Sequence, residues 1–224
     1  MLHELDEELL ERGHRFVRYA DDCSIYVKSE KSALRVQESI TQYIEGELKL
    51  KVNREKTQIS YPTKSTLLGF SFFQKAGKWE IRISPKSLKR IKEKIKGKTK
   101  RNDPSTAKEK IKRMEAVIRG WVNYFSIAQA KHNMQELDEM TRTRLRIGIW
   151  KQWKLPRTRS KNLLKLGTSK GKAYLWGNSS LGYCRVAHSP ILMTTLTKEY
   201  FQRLRYVGFS YHYYWQTDYR KKLF

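Results

Sequence analysis

Two short apolar runs enclose a pair of adjacent aspartates near the start of this sequence, and no other pattern constrains the local fold as closely. Residues 16–19 lead into Asp21 and Asp22, and residues 25–27 follow. β-prone residues on both sides of a short polar segment predict a β-hairpin with the two acids in its turn. Adjacent carboxylates repel each other and add nothing to a core, so they favour a site for a hard divalent cation such as Mg²⁺, which also holds phosphates. A solvated turn is the alternative, because aspartate is a common turn residue.

The sequence around these acids resembles the palm of reverse transcriptases. Residues 19–22 read Tyr-Ala-Asp-Asp, the signature of that palm, between two apolar strands. Segments 5–14, 48–57 and 67–72 flank it in the order typical of bacterial group II intron reverse transcriptase/maturase proteins. The resemblance extends from the first residue to about residue 209.

The resemblance implies an RNA-directed DNA polymerase that uses a two-metal Mg²⁺ site, dNTPs, an RNA template and a DNA primer. Asp21 and Asp22 would be the catalytic metal ligands. Lys56 would meet the pyrophosphate leaving group, although a solvated lysine in a basic protein is an equal alternative. The residues that the resemblance places on the primer or on other nucleic acid are Tyr19, Leu68, Gly69 and Phe70.

In this family a third aspartate comes from an earlier palm strand. The residues before Tyr19 instead predict one helix and the start of a strand, and Asp6 matches the helix rather than the missing ligand. We therefore expect a C-terminal part of such a protein that is catalytically incomplete by itself. A separately encoded N-terminal half is a candidate partner. No endonuclease pattern follows residue 209. A partial palm would also leave an uncovered apolar face around Phe16, Ile25 and Val27.

The positive charge of the chain is concentrated after residue 84. Residues 1–84 hold 14 basic and 13 acidic residues, residues 85–170 hold 25 and 7, and residues 171–224 hold 8 and 2. A net charge of +25 predicts a polyanionic partner whose affinity falls as salt rises. The charge step predicts two domains, with a partial palm over residues 1–84 and a helical thumb/maturase domain over residues 85–224.

The hydrophobic pattern predicts an α+β fold. Before the charge step it indicates helices over residues 2–12 and 31–49, and a second hairpin that joins residues 67–73 to residues 79–83. After the step, Pro85 begins a mostly helical part. Its predicted elements are a helix that contains the apolar positions from Ile111 to Phe125, a helix from about residue 134 to 155 that Pro156 ends, loop and short elements over residues 160–186, a helix from Pro190 to about 204, and an aromatic tail over residues 211–215.

One basic and aromatic cluster of the helical part predicts RNA contact, although some of its arginines must be solvated because alternate positions cannot share one helix face. Its candidate RNA-binding residues are Arg142, Arg144, Arg146, Lys151 and Lys154, which surround Trp150 and Trp153. The aromatic positions Trp121, Tyr124 and Phe125 favour a core role because they recur at helical spacing.

We therefore interpret the chain as part of a group II intron reverse transcriptase and maturase that binds intron RNA. The alternatives are a splicing cofactor that binds RNA without polymerase activity, and an unrelated basic DNA-binding protein. Mean hydropathy of −0.74 and the lack of a long apolar run argue against a membrane partner. Two cysteines without disulfide or metal-ligand spacing fit a reducing cytoplasm.

Overall fold

The chain forms an α+β structure, as predicted, and its computed structural model describes residues 2–221. It divides into two compact units, one up to Phe72 and one from Phe73 onward. The division lies twelve residues before the domain boundary predicted at residue 84 and falls within a strand. The first unit contains 11 basic and 12 acidic residues and the second contains 36 and 10, so the charge asymmetry also holds for the structural division.

The first unit is built on two helices that cover one face of a hairpin. Helix α1 spans Leu2–Glu11, strands β1 and β2 span Arg15–Tyr19 and Asp22–Tyr26, and helix α2 spans Glu30–Gly46. The antiparallel strands pair Phe16 with Ile25 and Tyr19 with Asp22. Ser29 caps α2, since its side chain accepts a hydrogen bond from the backbone N–H of Ser32.

Of the predicted uncovered apolar face, Val27 is exposed, but the prediction was wrong for Phe16 and Ile25. Both side chains pack against a core of Leu5, Leu9 and residues of α2, because those helices present an apolar stripe to the hairpin. Strand side chains alternate between faces, so Val17 and Tyr19 lie on the other face, where they are 47% and 62% exposed.

A three-stranded sheet follows a long irregular segment. Its strands, in the order β3-β4-β5, span Thr66–Leu67, Phe70–Lys75 and Lys78–Ile83. The predicted single strand over residues 67–73 is interrupted at Leu68 and Gly69, which form a two-residue turn that pairs Leu67 with Phe70. Both turn residues have positive φ values, 52° and 82°, which suits a tight hairpin turn with right-handed strand twist.

Three helices form the framework of the second unit: α3 (Pro85–Lys98), α4 (Ala107–Phe125) and α5 (Lys131–Gln152). Pro85 is the first helical residue of α3, as predicted, where its missing N–H costs nothing. Thr106 and Glu109 form a reciprocal capping box at the start of α4. The buried residues of α4 follow the predicted periodicity, and Phe125 is among them, but Tyr124 is 50% exposed.

Residues 160–186, predicted as loop and short elements, contain the end of one helix, one complete short helix and the start of another. Helix α5 ends at Gln152, and Pro156 begins the next helix rather than ending α5. The later helices are α6 (Pro156–Lys165), α7 (Lys170–Gly177), α8 (Tyr183–His188), α9 (Pro190–Met193), α10 (Lys198–Arg203) and α11 (Gly208–Lys221). The helix predicted from Pro190 to residue 204 is thus two short helices, because residues 194–197 interrupt it.

The predicted aromatic tail is helix α11, which packs on α4 and α5. Its Tyr213 is buried, and the hydroxyl donates to the backbone oxygen of Ala128 at 2.8 Å. The helix start is held by the buried carboxylate of Asp138, which accepts from the backbone N–H of Phe209 at 2.7 Å and of Ser210 at 3.0 Å. The Tyr206 hydroxyl also donates to Asp138, at 2.8 Å.

Candidate catalytic hairpin and nucleic-acid interface

The two aspartates lie at the end of the hairpin, but only one of them occupies the turn. Ala20 and Asp21 form the two-residue turn, whereas Asp22 is the first residue of β2 and pairs with Tyr19. The prediction that both acids occupy the turn was therefore wrong for Asp22. Ala20 has a φ of 50°, a conformation that costs free energy for any residue with a Cβ and that is concentrated at functional sites.

Arg18 holds this turn in place. Its Nε donates to Oδ1 of Asp6 at 2.6 Å, a second nitrogen pairs with the other oxygen of the same carboxylate, and Nη1 donates to the backbone oxygen of Ala20 at 3.0 Å. The hydrogen bond from Arg18 lowers the pKa of Asp6. Asp6 is thus engaged in a bidentate ion pair that joins α1 to the hairpin, which agrees with its exclusion as a metal ligand.

The chemistry of the turn fits a hard cation in part. Asp21 and Asp22 are both exposed, so their carboxylate oxygens are open to a metal ion and its water. Within residues 2–221 no group of three or more His, Cys, Asp or Glu side chains converges in a way that could hold a metal. The described residues therefore offer two carboxylates toward a site that needs more ligands.

Lys56 lies in the irregular segment after α2. Its side chain is exposed, and its backbone N–H donates to the backbone oxygen of Asn53 at 3.1 Å and to the Asn53 side chain at 3.2 Å. The Thr57 hydroxyl donates to the same backbone oxygen at 2.9 Å. Asn53 thus forms a compact turn that presents Lys56 to solvent.

The predicted primer-binding residues 68–70 have unequal accessibility. Leu68 is 40% exposed at the turn, whereas Phe70 is buried. Leu68 is therefore the more accessible of these two side chains, Phe70 packs within the sheet, and their contact with a nucleic-acid strand stays a prediction. Tyr19, on the hairpin, is open to a stacking or apolar contact.

The three arginines of α5 have partners within the protein. Arg142 and Arg146 are 9% and 3% exposed, and Arg144 is half-buried. Nε of Arg146 donates to the backbone oxygen of Leu196 at 3.0 Å, and Nε of Arg144 donates to Thr99 Oγ1 at 2.7 Å. None of the three is a fully solvated side chain, contrary to the expectation for some of them, because Glu139, Thr99 and Leu196 each supply an acceptor to one of the arginines.

The remaining members of that cluster differ among themselves. Lys154 is exposed, and Lys151 pairs with the side chain of Asn102. Trp150 is 1% exposed and lies under Arg159, whose guanidinium carbon is 4.6 Å from the ring centroid. Trp150 is therefore part of the core rather than a platform for stacking bases.

Two exposed basic surfaces were missing from the predicted site. Helix α3 exposes six basic side chains against one acidic residue: Lys86, Lys89, Arg90, Lys94, Lys96 and Lys98. We call the pair α6 and α7 the basic hairpin; these two helices pack together and contain no acidic residue. Its exposed cations are Arg157, Lys161, Lys165, Lys170 and Lys172.

The basic hairpin also exposes an aromatic ring, since Tyr174 is 73% exposed. Exposed cations with an accessible ring suit an RNA backbone and a stacked base. The density of lysine in 85–98 and 156–172 was the sequence signal for both surfaces. No helix in the described part of the chain is long and apolar enough to span a membrane.

Family comparisons match both units of the chain. The family described as "Reverse transcriptase (RNA-dependent DNA polymerase)" matches residues 1–72, which is the extent of the first unit. The family described as "Group II intron, maturase-specific domain" matches residues 88–167, from within α3 to just past the end of α6. No curated protein matches the sequence. Reverse transcriptases typically depend on a divalent metal. A reverse transcriptase region followed by a group II intron maturase-specific domain confirms the resemblance seen in the sequence: the chain belongs to the group II intron reverse transcriptase/maturase family.

Proposed function

We propose that this chain acts as a maturase that binds structured intron RNA through the exposed cations of α3 and of the basic hairpin. The observation that carries the proposal is the absence of acidic residues from α6 and α7 together with five exposed cations on them. Phosphate contacts by lysine and arginine supply most of the affinity of a protein for RNA and orient it on the backbone. The two exposed free cysteines, Cys23 and Cys184, support a reducing cytoplasm as the place of action.

The experiment is a measurement of RNA affinity for the full chain with three lysines of the basic hairpin neutralised. The triple variant combines Lys161→Gln, Lys165→Gln and Lys172→Gln. Its affinity for a structured intron RNA should fall at least about tenfold near 0.1 M salt, because each lost phosphate contact removes about 0.7–0.9 from the slope of log K against log salt concentration. The matched control removes the same charge from exposed lysines of the first unit, Lys28, Lys31 and Lys51. Equal losses in the two triple variants would contradict the proposal.

RNA-directed DNA synthesis is a second candidate function, favoured by the exposed pair Asp21 and Asp22 and by the Arg18 contacts that fix their turn. In this role the two carboxylates would hold Mg²⁺, which when bound activates the primer hydroxyl and stabilises the pyrophosphate. Arg18 is a positioning residue, since it holds the carbonyl of Ala20. Lys56 is the candidate to donate a proton or a positive charge to the leaving group.

Primer extension on an RNA template tests this second function. The 224 residues alone should give no extension, because two carboxylates do not complete a two-metal site. With a separate polypeptide that supplies an upstream palm and restores synthesis, Asp21→Asn and Asp22→Asn should each abolish extension while RNA affinity stays the same. Extension by the chain alone that Asp21→Ala removes would contradict the incomplete site, and activity that survives Asp21→Asn would contradict the ligand assignment.

A further inference from the structure

A cleft in the second unit opens between α5, α8, α10 and α11. Its volume is about 920 Å³, and its basic lining side chains are Arg142, Arg144, Lys198 and two histidines. Two of its three acidic side chains have other partners, since Asp138 caps α11 and Glu136 accepts from Lys92 at 2.5 Å. The third is Glu139.

Glu139 is shared by two guanidinium groups and satisfies neither of them completely. Its Oε2 accepts from Nη2 of Arg142 at 3.0 Å, while its Oε1 lies 3.7 Å from Nη1 of Arg146, too far for a hydrogen bond. The side chain of Glu139 is 48% exposed, whereas those of Arg142 and Arg146 are 11% and 3% exposed. One half-exposed carboxylate thus faces two buried cations.

The unsatisfied polar atoms of the described residues are concentrated at this place. Three buried side-chain nitrogen or oxygen atoms there have no hydrogen-bond partner, and they are Arg142 Nε, Arg146 Nη1 and Thr143 Oγ1. Arg142 and Thr143 line the cleft, and Arg146 lies behind Glu139. Buried donors without acceptors are costly and rare in native proteins, so their clustering at one cleft indicates a ligand rich in acceptor oxygens.

A backbone phosphate of RNA can meet this requirement. It carries the same single negative charge as a carboxylate, it has two ester oxygens besides its two charged oxygens, and the planar fork of a guanidinium matches its geometry. Burial lowers the pKa of Arg146, which means that its positive charge is poorly compensated in the present arrangement. An anionic group at hydrogen-bond distance from Arg146 would compensate this charge better than the Glu139 carboxylate does at 3.7 Å.

We infer that the cleft receives one backbone phosphate of the bound RNA, held by Arg142 and Arg146, and that Glu139 occupies the phosphate position until RNA displaces it. The inference rests on the proposed RNA-binding function and adds to it a specific anchoring point and an internal competitor. It predicts that removal of the Glu139 charge strengthens RNA binding, beyond the general effect of one more positive charge.

The test compares Glu139→Gln with Glu115→Gln in the full chain. Both changes add one positive charge, but Glu115 is an exposed residue of α4 that does not line the cleft. With a structured intron RNA near 0.1 M salt, Glu139→Gln should raise affinity at least fivefold and Glu115→Gln less than twofold. RNA should also raise the midpoint of thermal unfolding more in Glu139→Gln than in the unchanged chain, because it satisfies the arginines that the variant leaves unpaired.

Arg142→Lys provides a second variant in case Glu139→Gln does not fold. It keeps the charge but loses the forked donor, so RNA affinity should fall at least fivefold, while Arg113→Lys, at an exposed arginine paired with Asp103, should have less than a twofold effect. When Glu139→Gln is combined with Arg142→Lys, the increase in RNA affinity caused by Glu139→Gln should disappear, since the two residues act on one phosphate.

The outcomes separate this inference from the proposed function. Normal RNA binding with equal effects of Glu139→Gln and Glu115→Gln would overturn the anchoring cleft and leave the maturase proposal intact. No RNA binding by the unchanged chain would overturn both. Inorganic phosphate is the second probe. If millimolar phosphate stabilises the chain against unfolding and Arg142→Lys removes that effect, but RNA affinity does not depend on Arg142, the assignment to an RNA phosphate would be overturned.

Discussion

Arg18 is the residue on which the geometry of the candidate catalytic turn depends. It joins the carboxylate of Asp6 on α1 to the carbonyl of Ala20, the turn residue with positive φ. Loss of these three hydrogen bonds leaves the strained turn without support, since a residue held at positive φ persists only when its surroundings fix it.

We therefore expect Arg18→Gln to loosen the hairpin without unfolding α2. Backbone amides of residues 15–26 should exchange with solvent several-fold faster, as measured by hydrogen exchange. Arg15→Gln on the same strand is the control, because Arg15 is exposed and changes the charge equally. Equal exchange rates in the two variants would show that the Arg18 contacts do not hold the turn.

Gly208 is the second residue whose identity the structure requires. Its φ is +86°, and a Cβ there would lie 2.5 Å from Oδ1 of Asp138, whose carboxylate already accepts from Tyr206, Phe209 and Ser210. Gly167 has nearly the same φ, +88°, but open space around it. A comparison of alanine substitutions at these two glycines therefore separates the cost of backbone strain from the cost of a clash with Asp138.

Gly208→Ala should lower the free energy of unfolding by about 3 kcal/mol or more, because it combines left-handed strain with damage to a charged hydrogen-bond cluster. Gly167→Ala should cost only the strain, about 1 kcal/mol. Denaturant unfolding followed by circular dichroism checks both values. A cost for Gly208→Ala no greater than for Gly167→Ala would mean that Asp138 shifts freely and does not fix α11.

At the scale of elements, the basic hairpin depends on a close approach of its two helices. A Cβ at Gly177, the last residue of α7, would lie 2.1 Å from Ser160 Oγ and 3.0 Å from the backbone oxygen of Pro156 on α6. Gly171, in the first turn of the same helix, has nothing within 4 Å. The basic hairpin therefore tolerates an added methyl group at the start of α7, at Gly171, but not at its end, at Gly177.

Gly177→Ala should destabilise the second unit by about 1–3 kcal/mol through overpacking, and RNA affinity should fall as the lysines of α6 and α7 move apart. Gly171→Ala should leave both quantities nearly unchanged or add slightly to stability, since alanine favours helix. Thermal unfolding and RNA titration of the two variants make the comparison. A neutral Gly177→Ala would contradict the close packing of α6 on α7.

The elements that the sequence predicted correctly are those whose signals are local. Pro85 begins α3, and the apolar spacing of α4 corresponds to its buried face. Helix α7 was predicted only as part of a stretch of loop and short elements because small residues perform much of its packing: Ala173 and Gly177 are buried there, and neither adds to a hydrophobic period.

The side-chain partners were beyond sequence analysis because they are distant along the chain. Asp138 caps a helix that begins 70 residues later, and Arg146 donates to the backbone of Leu196, 50 residues away. A charged residue on an amphipathic helix is expected in solvent. Its burial becomes predictable only when the packing of α5 is known. The predicted contacts of residues 142–154 with RNA stay a prediction.

At the scale of the whole molecule, the two units differ in charge as strongly as in fold. Residues up to Phe72 contain nearly equal numbers of acidic and basic residues, whereas residues from Phe73 onward have 26 more basic than acidic residues. Polyanion binding follows the local positive charge of a surface. The second unit is therefore expected to hold RNA, and the first to contribute the carboxylates.

The salt dependence of RNA binding by the second unit tests this central claim most directly. The polypeptide should begin at Phe73 rather than at Pro85, since Ile83 is buried and the backbone oxygen of Ile81 accepts from Gln129 N–H at 2.8 Å. With helicity retained, residues 73–224 should bind intron RNA within about threefold of the full chain, and log K should fall linearly with log salt with a slope of about −4 or steeper if five or more phosphates are neutralised. Weak binding by folded residues 73–224, or a slope near zero, would contradict the account.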